Sequence, residues 1–288
     1  MATISMQMPV RPVVPFGALL RAWRERRRRS QLDLALDAEV SQRHLSFVES
    51  GRAAPSREMI LRLAEQLDVP LRERNTLLLA GGYAPLYAER PLDDPEMQAA
   101  RVIVDQILRA HMPHPALAID RHWHMVAANA GIAPLLLGVE EPALLAPPVN
   151  VLRLSLHPRG LAPRIANLAE WRGHLLERLR RQIATSADPA LVSLLAELTT
   201  FHPPPAGREA VGTAATYPPG GIAVPLELET AQGRLSLIST TTVFGTPTEI
   251  TLSELAIEAF YPADGATAER LARAGNLSRQ QPSSSSLR

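Results

Sequence analysis

Gln42, Arg43 and Ser46 are interleaved with the apolar pair Leu45 and Val48, whose i, i+3 spacing marks the inward side of a short helix. The three polar side chains, joined by Phe47, are therefore expected on its outer surface. Arginine can pair bidentately with guanine and glutamine with adenine, so this pattern has the chemistry of reading base edges. Ser41 and Gln31 stand at the starts of two successive helices, where unbonded backbone N–H groups favour phosphate. Arg52, Arg57 and the run Arg26–Arg29 can neutralise further phosphates and make affinity salt-dependent.

A second set of residues is apolar. Trp123, Met125, Ile132, Leu136, Trp171, Leu175 and Leu179 come from one hairpin and two helices, and Leu235, Leu237 and Phe244 come from later strands that could close over them. Small-molecule pockets are mainly hydrophobic with few polar anchors. The expected ligand is therefore a small lipophilic molecule, fatty-acid-like, with no other cofactor. The plain alternative is that these residues are ordinary core.

Enzyme chemistry finds little support. The chain has no cysteine, and all 30 of its Lys+Arg residues are arginine. That removes thiolate metal sites, a Cys nucleophile, a Walker-type phosphate lysine and a Schiff-base lysine. Gly-x-Ser-x-Gly, a phosphate-cradling glycine loop and His-Glu-x-x-His are absent. His122-x-His124 with Asp120 has metal-like spacing. Asp120-Arg121 reads as a hairpin turn, however, so the three side chains need not share a face, and no metal is expected. His111 and His114 flank Met112-Pro113 and read as surface or core histidines.

Two kinds of unit must position these sets. The first ~80 residues read as five short helices. Leu19, Leu20 and Trp23 mark the first. Ser30 and Asp33 form an approximate capping box for the second, which carries Leu32, Leu34 and Ala35. Ser41 caps the third and Gly51 ends it. Pro55-Ser56 opens the fourth, with Ile60, Leu63, Ala64 and Leu67 at helical spacing, and Pro70 precedes a fifth that ends at Gly81-Gly82. After a connector over 83–93, Asp94-Pro95-Glu96 starts a helix with the periodic run Ile103, Ile107, Leu108. Two strands follow, Ala116–Ile119 and Trp123–Ala128, and Asn129 is expected to cap a short helix through Leu137. Further helices are expected around Leu168–Ile183 and from Asp188-Pro189 through Leu198. Pro203–Gly221 reads as a long loop. Beyond it Val224, Leu226 and Leu228 alternate with polar residues as a strand, and Ala231-Gln232-Gly233 turns into a second strand, Arg234–Phe244. Thr251 and Glu254 resemble a capping box, while Ile257–Tyr261 could instead be a strand. The fold class is α+β: an all-helical unit followed by an antiparallel sheet covered by helices.

Charge follows the same division. Residues 1–80 hold 13 arginines against 9 acidic residues, a net of +4, whereas residues 81–288 hold 17 against 20, a net of −3. A basic unit followed by a mildly acidic one suggests different partners for the two. No stretch approaches the ~20 apolar residues that span a bilayer. No signal pattern opens the chain, so a cytoplasmic protein is expected. The ends, 1–15 and 271–288, are expected to be disordered tails.

Residues 17–80 closely resemble the Cro/C1-type, or XRE-type, helix-turn-helix DNA-binding domain. The resemblance rests on Leu20-x-x-x-Arg24, Ser30-Gln31-x-x-Leu34-Ala35, Val40-Ser41, Leu45-x-x-Val48-Glu49-x-Gly51-Arg52, Pro55-Ser56 and Leu63-Ala64-x-x-Leu67. It implies that the third helix enters the major groove with Gln42, Arg43 and Ser46 facing bases. It also implies an Arg24–Glu49 ion pair tying the first helix to the third. Two positions depart from the pattern: Glu39 stands where the turn usually has glycine, and Arg28-Arg29 replaces a Gly-apolar pair.

Residues 94–268 resemble the ligand-binding domain of MmyB-like transcription regulators, a PAS-like fold. The resemblance rests on His114–Leu117, Asp120–Trp123, Ala127–Asn129, Ala169–Trp171, Ser239–Pro247 and Glu254–Glu258. It implies a sheet covered by helices around an internal cavity, in a ligand-responsive repressor or activator that acts as a homodimer. With the helix-turn-helix unit and the lack of a long apolar stretch, the partners expected are double-stranded DNA, a small apolar ligand and a second copy, without membrane insertion. The domains expected are a helix-turn-helix unit over 16–82, a linker over 83–93 and a PAS-like unit over 94–270. The rival functions are a regulator whose second domain only dimerises, and a cofactor-binding sensor or enzyme.

Overall fold

A computed structural model describes residues 14–201 and 223–280. The long loop read over Pro203–Gly221 and most of the N-terminal tail lie outside the described residues. Two compact units divide between Glu89 and Arg90, with Thr248–Ile250 counted in the first.

The first unit is five helices: α1 (Phe16–Arg26), α2 (Gln31–Asp37), α3 (Gln42–Glu49), α4 (Arg57–Gln66) and α5 (Leu71–Ala80). Ser30, Ser41 and Ser56 cap α2, α3 and α4, each accepting from the backbone N–H three residues on, and Ser30 with Asp33 completes a capping box. The core holds Leu20, Trp23, Leu34, Ala35, Leu45, Val48, Ile60, Leu63 and Leu67. Leu32, expected with Leu34, is instead exposed. One side of a seven-residue helix suffices for the contacts with α3 and α4. Gly17 sets how closely α1 lies on α3, because a Cβ there would come 2.4 Å from the Glu49 carbonyl oxygen.

The two departures from the helix-turn-helix pattern keep the backbone of the glycine they replace. Glu39 has φ +53° and Arg28 has φ +53°. After α2 the Glu39 N–H bonds to Leu36 O and the Val40 N–H to Ala35 O, which is the Schellman end of a helix. A non-glycine residue there carries about 1–2 kcal/mol of left-handed strain. Glu39→Gly should therefore raise the stability of this unit by about 1 kcal/mol, since the Arg62 partner of Glu39 is 3.8 Å away and the pair is exposed. Urea unfolding measures this, and a loss of stability would show that Glu39 holds the turn by other means.

The start of the connector belongs to the first unit. Asn75 Oδ1 accepts from the Leu86 and Tyr87 N–H groups, and Tyr83 Oη donates to Pro55 O.

The second unit is built on strands β1 (Ala116–Ile119), β2 (Met125–Ala128), β3 (Leu226–Thr230), β4 (Gly233–Val243) and β5 (Ala256–Pro262). They form one antiparallel sheet in the order β2-β1-β5-β4-β3. Its helices are α6 (Gln98–Ala110), α7 (Ala133–Leu136), α8 (Val151–Leu156), α9 (Leu168–Ser186), α10 (Pro189–Thr200), α11 (Ile250–Ser253, whose first residue counts with the first unit) and α12 (Gly265–Gln280). The alternation of β1 and β5 divides the two faces. Ala116, Ala118, Ile257 and Ala259 pack with Val104 and Leu108 of α6, and Leu117 and Ile119 join the larger core under α8, α9 and α10.

Several expectations change here. The segment Ile257–Tyr261 is strand, and it is the middle one. On α6 the inward residues are Ala100, Val104 and Leu108, while Ile103 and Ile107 are 46% and 38% exposed. Asn129 is no helix cap. It is buried, accepts from the Ala116 and Gly131 N–H groups, and donates to the Leu108 and His114 carbonyls, joining the end of α6 to the start of β1. The segment expected as a disordered tail from 271 begins in helix: α12 runs to Gln280, and Leu271 is 5% exposed because it joins the larger core. Helix α8, in the stretch between Leu137 and Leu168 for which no helix is expected, is capped by Asn150, which accepts from the Arg153 N–H.

Candidate functional site

The first site is the outer side of α3. Gln42 and Arg43 are exposed in its first turn, and Ser46 and Phe47 are half-buried a turn later. The Arg43 guanidinium lies 5.4 Å from the Phe47 ring centroid and that of Arg52 lies 6.0 Å from it. The Arg52 N–H also bonds to the Phe47 carbonyl at 2.8 Å. Phe47 thus gathers two cations, one on α3 and one just beyond it, through cation–π contact. Ser41 is the N-cap of α3 and accepts from the His44 N–H. Arg57 is exposed in the first turn of α4.

Behind this surface stands an ion-pair brace. Arg24 Nε and Nη2 donate to Glu49 Oε1 and Oε2 at 2.6 and 3.0 Å, and Gln31 Nε2 donates to Glu49 Oε2 at 2.8 Å. Arg21 Nε lies 3.5 Å from the same carboxylate. Burial pushes the Glu49 carboxyl up, but the bonds from Arg24 and Gln31 and the charges of Arg24 and Arg21 outweigh it and hold the group below its ordinary value. The Arg24–Glu49 pair implied by the resemblance is present. Gln31, expected at a phosphate, has its side chain turned inward on Glu49. The run Arg26–Arg29 is drawn in part into bonds within the unit. Arg27 donates to the Leu67 and Asp68 carbonyls at the end of α4, and Arg29 pairs with Asp37.

The second site is a cavity of about 90 Å³ in the larger core of the second unit. Six of the ten expected residues line it: Trp123, Met125, Ile132, Leu136, Trp171 and Leu175. The other four do not. Leu179 and Leu237 are core, Leu235 lines a smaller cavity of about 30 Å³, and Phe244 packs on the α6 face of the sheet. The sheet supplies instead Leu117, Ser239, Glu258 and Phe260. Ser239 pairs with Phe260, and Glu258 lies between Thr241 and Leu117, so these residues share one face.

The polar end of this cavity has no counterpart among the expected residues. Arg178 Nη1 donates to Glu258 Oε2 at 3.0 Å, while Nη2 donates to Thr241 Oγ1 at 2.9 Å and to Glu258 Oε1. The guanidinium stacks 4.6 Å from the Trp123 ring. These bonds use three of the five N–H donors of a guanidinium. Trp123 itself has φ +68° and donates its indole N–H to Gln182 at 2.7 Å. A signal for Arg178 exists in the sequence: Trp171, Leu175, Arg178 and Gln182 fall at i, i+4, i+7 and i+11, so the inward stripe of α9 continues into polar residues.

A five-helix unit with a braced, exposed reading helix, followed by a sheet-and-helix domain enclosing a cavity, defines a DNA-binding transcription regulator with a ligand-binding domain. The chain belongs to the MmyB-like transcription regulators: the family model for the MmyB-like transcription regulator ligand binding domain matches residues 100–274. A helix-turn-helix model matches residues 20–74. No curated protein matches the chain. Among the described residues no helix is long and apolar enough to cross a membrane.

Proposed function

We propose that the protein is a homodimeric regulator whose cavity takes a small lipophilic molecule with an anionic head, such as a fatty acid. The observation that carries this reading is the chemistry of the cavity, which is apolar except where side chains such as Arg178, Glu258 and Ser239 reach it. An acyl chain would lie along Leu117, Ile132 and Trp171, with its carboxylate within reach of the remaining Arg178 donors. Mass spectrometry of the denatured protein, with thermal shifts against fatty acids of increasing length and matched alkanols, tests it. Co-purified or stabilising fatty acids, preferred over the alkanols, are expected. A clean extract with no shift for any chain length would leave the rival reading, a second domain that only dimerises. No other cofactor, metal or catalytic residue enters this reading, which places the protein in the cytoplasm, beside the DNA.

On DNA, two copies would set their α3 helices ~34 Å apart on a pseudo-palindromic operator. The exposed Val102, Ile103 and Ile107 of α6 supply an apolar face for pairing of the second units, and sedimentation reads the mass directly. Gln42, Arg43, Ser46 and Phe47 would face bases, while Ser41, Arg52, Arg57 and the start of α2 at Gln31 would face phosphates. Arg43→Ala should cost about 1–3 kcal/mol of operator affinity and relax the preference at one base pair, whereas Arg52→Ala should weaken all sequences alike and lower the salt slope by about one. Binding to an operator panel at several salt concentrations distinguishes the two. A uniform loss for Arg43→Ala would remove its assigned role. A ligand would change operator affinity only by binding the two dimer geometries unequally.

A further inference from the structure

The turn between β1 and β2 gathers four side chains that neither the cavity nor the DNA surface uses. Asp120, His122 and His124 each offer a donor atom, and these atoms lie within 4.8 Å of one another. The turn brings together what its sequence left open. His124 Nδ1 is 3.1 Å from Asp120 Oδ2, and the two imidazole rings stand 6.1 Å apart. Asp188, the N-cap of α10, sets Oδ2 2.9 Å from His122 Nε2 but lies outside the 4.8 Å group, so it has further to move than the three donors of the turn.

We propose that this turn is a site for a divalent transition-metal ion of the zinc, cobalt or nickel type, held by Asp120, His122 and His124 with Asp188 as a fourth donor. Two imidazoles and two carboxylates form a borderline donor set that suits these ions better than calcium or magnesium. Four-coordinate ions of this kind hold their ligands ~2.0–2.2 Å away, which separates the donor atoms by roughly 3.4 Å. The three donors of the turn need to close by little more than about 1 Å from the spacing they have. The Asp120 carboxylate is already oriented toward such an ion. Its Oδ1 accepts from the His122 and His124 backbone N–H groups, both at 2.8 Å, which leaves Oδ2 facing the rings. Asn150 Nδ2 donates to His122 O at 2.8 Å and holds the turn from behind. Access is open, with the side chains of Asp120, His122 and His124 37%, 27% and 27% exposed.

One cation stands in the way. Arg121 Nη1 is 3.4 Å from Asp188, and Arg121 Nε is 3.8 Å from Glu254. A bound dication would displace Arg121 from Asp188 onto Glu254. Trp123 lies between the two histidines in sequence and is a wall of the cavity, so an ion here fixes the backbone of that wall.

The test uses the full chain, free of any purification tag and stripped by a chelator. Co(II) is titrated with visible absorption as readout, and Zn(II) by calorimetry. One equivalent per chain is expected. The double variant His122→Gln, His124→Gln should weaken binding at least about 100-fold, while His157→Gln leaves it intact. Imidazole NMR of the unsubstituted protein gives a readout independent of folding in the variants, and Zn(II) should shift the signals of His122 and His124 alone. Absence of saturable binding, binding unchanged in the double variant, or shifts confined to other histidines would each show that these residues form histidine–aspartate hydrogen bonds only and overturn the proposal.

Discussion

Glu49→Ala is expected to destabilise the N-terminal unit by about 3–5 kcal/mol, the cost of leaving one partner of a buried ion pair alone. Its carboxylate is fully enclosed, whereas the Arg24 side chain is 11% exposed, so the stranded guanidinium would have little water to turn to. Gln31 would lose its partner as well. The brace joins α1, the start of α2 and the last turn of α3, so its loss frees the reading helix. Hydrogen exchange at the buried Leu45 and Ile60 amides should report the destabilisation, and operator binding should fail with it. The double variant Arg24→Leu, Glu49→Leu should recover part of the stability, because it removes both charges. A loss below about 1 kcal/mol for Glu49→Ala would mean that the pair is not the brace.

The same carboxylate makes the unit acid-sensitive. Its folded pKa lies below its unfolded value, so it stabilises the fold above the unfolded value of about 4.3. That contribution is lost as pH falls from there through the lowered folded value. Glu49→Ala should therefore flatten the dependence of this unit's stability on pH below about 4.3.

The second large effect is expected at Glu258→Ala. This residue sits in the middle strand, 5% exposed, and neutralises Arg178 beside the cavity. Removing it should cost the second unit about 3–5 kcal/mol. A carboxylate supplied from outside can take the vacant place, so a fatty acid should return part of the lost stability and raise the melting temperature of the variant more than that of the unsubstituted protein. A matched alkanol should not. Thermal unfolding with and without octanoate and octanol measures both arms. Equal shifts from acid and alcohol would mean that the cavity selects chain and not head group. No shift from either, in either protein, would remove the fatty-acid reading.

Local physics made the helical unit readable. Ser30, Ser41 and Ser56 announced three helix starts because a hydroxyl satisfies the first free N–H groups wherever it stands. The apolar periodicity of α4 was equally plain. Glu39 looked like a break in the pattern because a sequence shows the residue type and not φ, and the backbone adopts the left-handed turn all the same. The periodicity of α6 failed because its apolar residues cover more than one face: Ala100, Val104 and Leu108 meet the sheet, while Ile103 and Ile107 stay outside. β5 was ambiguous for the opposite reason. A strand buried on both faces loses the alternation that marks a strand, and Glu258 in its middle resembles a helix surface residue until its partner is known.

By itself the sequence determined the two-unit plan, the caps and inward pairs of the reading helix, the arginine-only basic surface and the apolar character of the second core. Each follows from neighbours within about one helical turn or one strand. Tertiary structure alone decided which charged and polar side chains are available. It turned Gln31 and Arg27 inward, set Arg178 against Glu258 across 80 residues and brought Asp188 to His122 across 66. It also selected six of ten apolar candidates for the cavity, since a lining residue differs from a core residue only by the space beside it. Long-range pairing of this kind leaves no local period, because the energy of an ion pair depends on distance and burial rather than on separation along the chain.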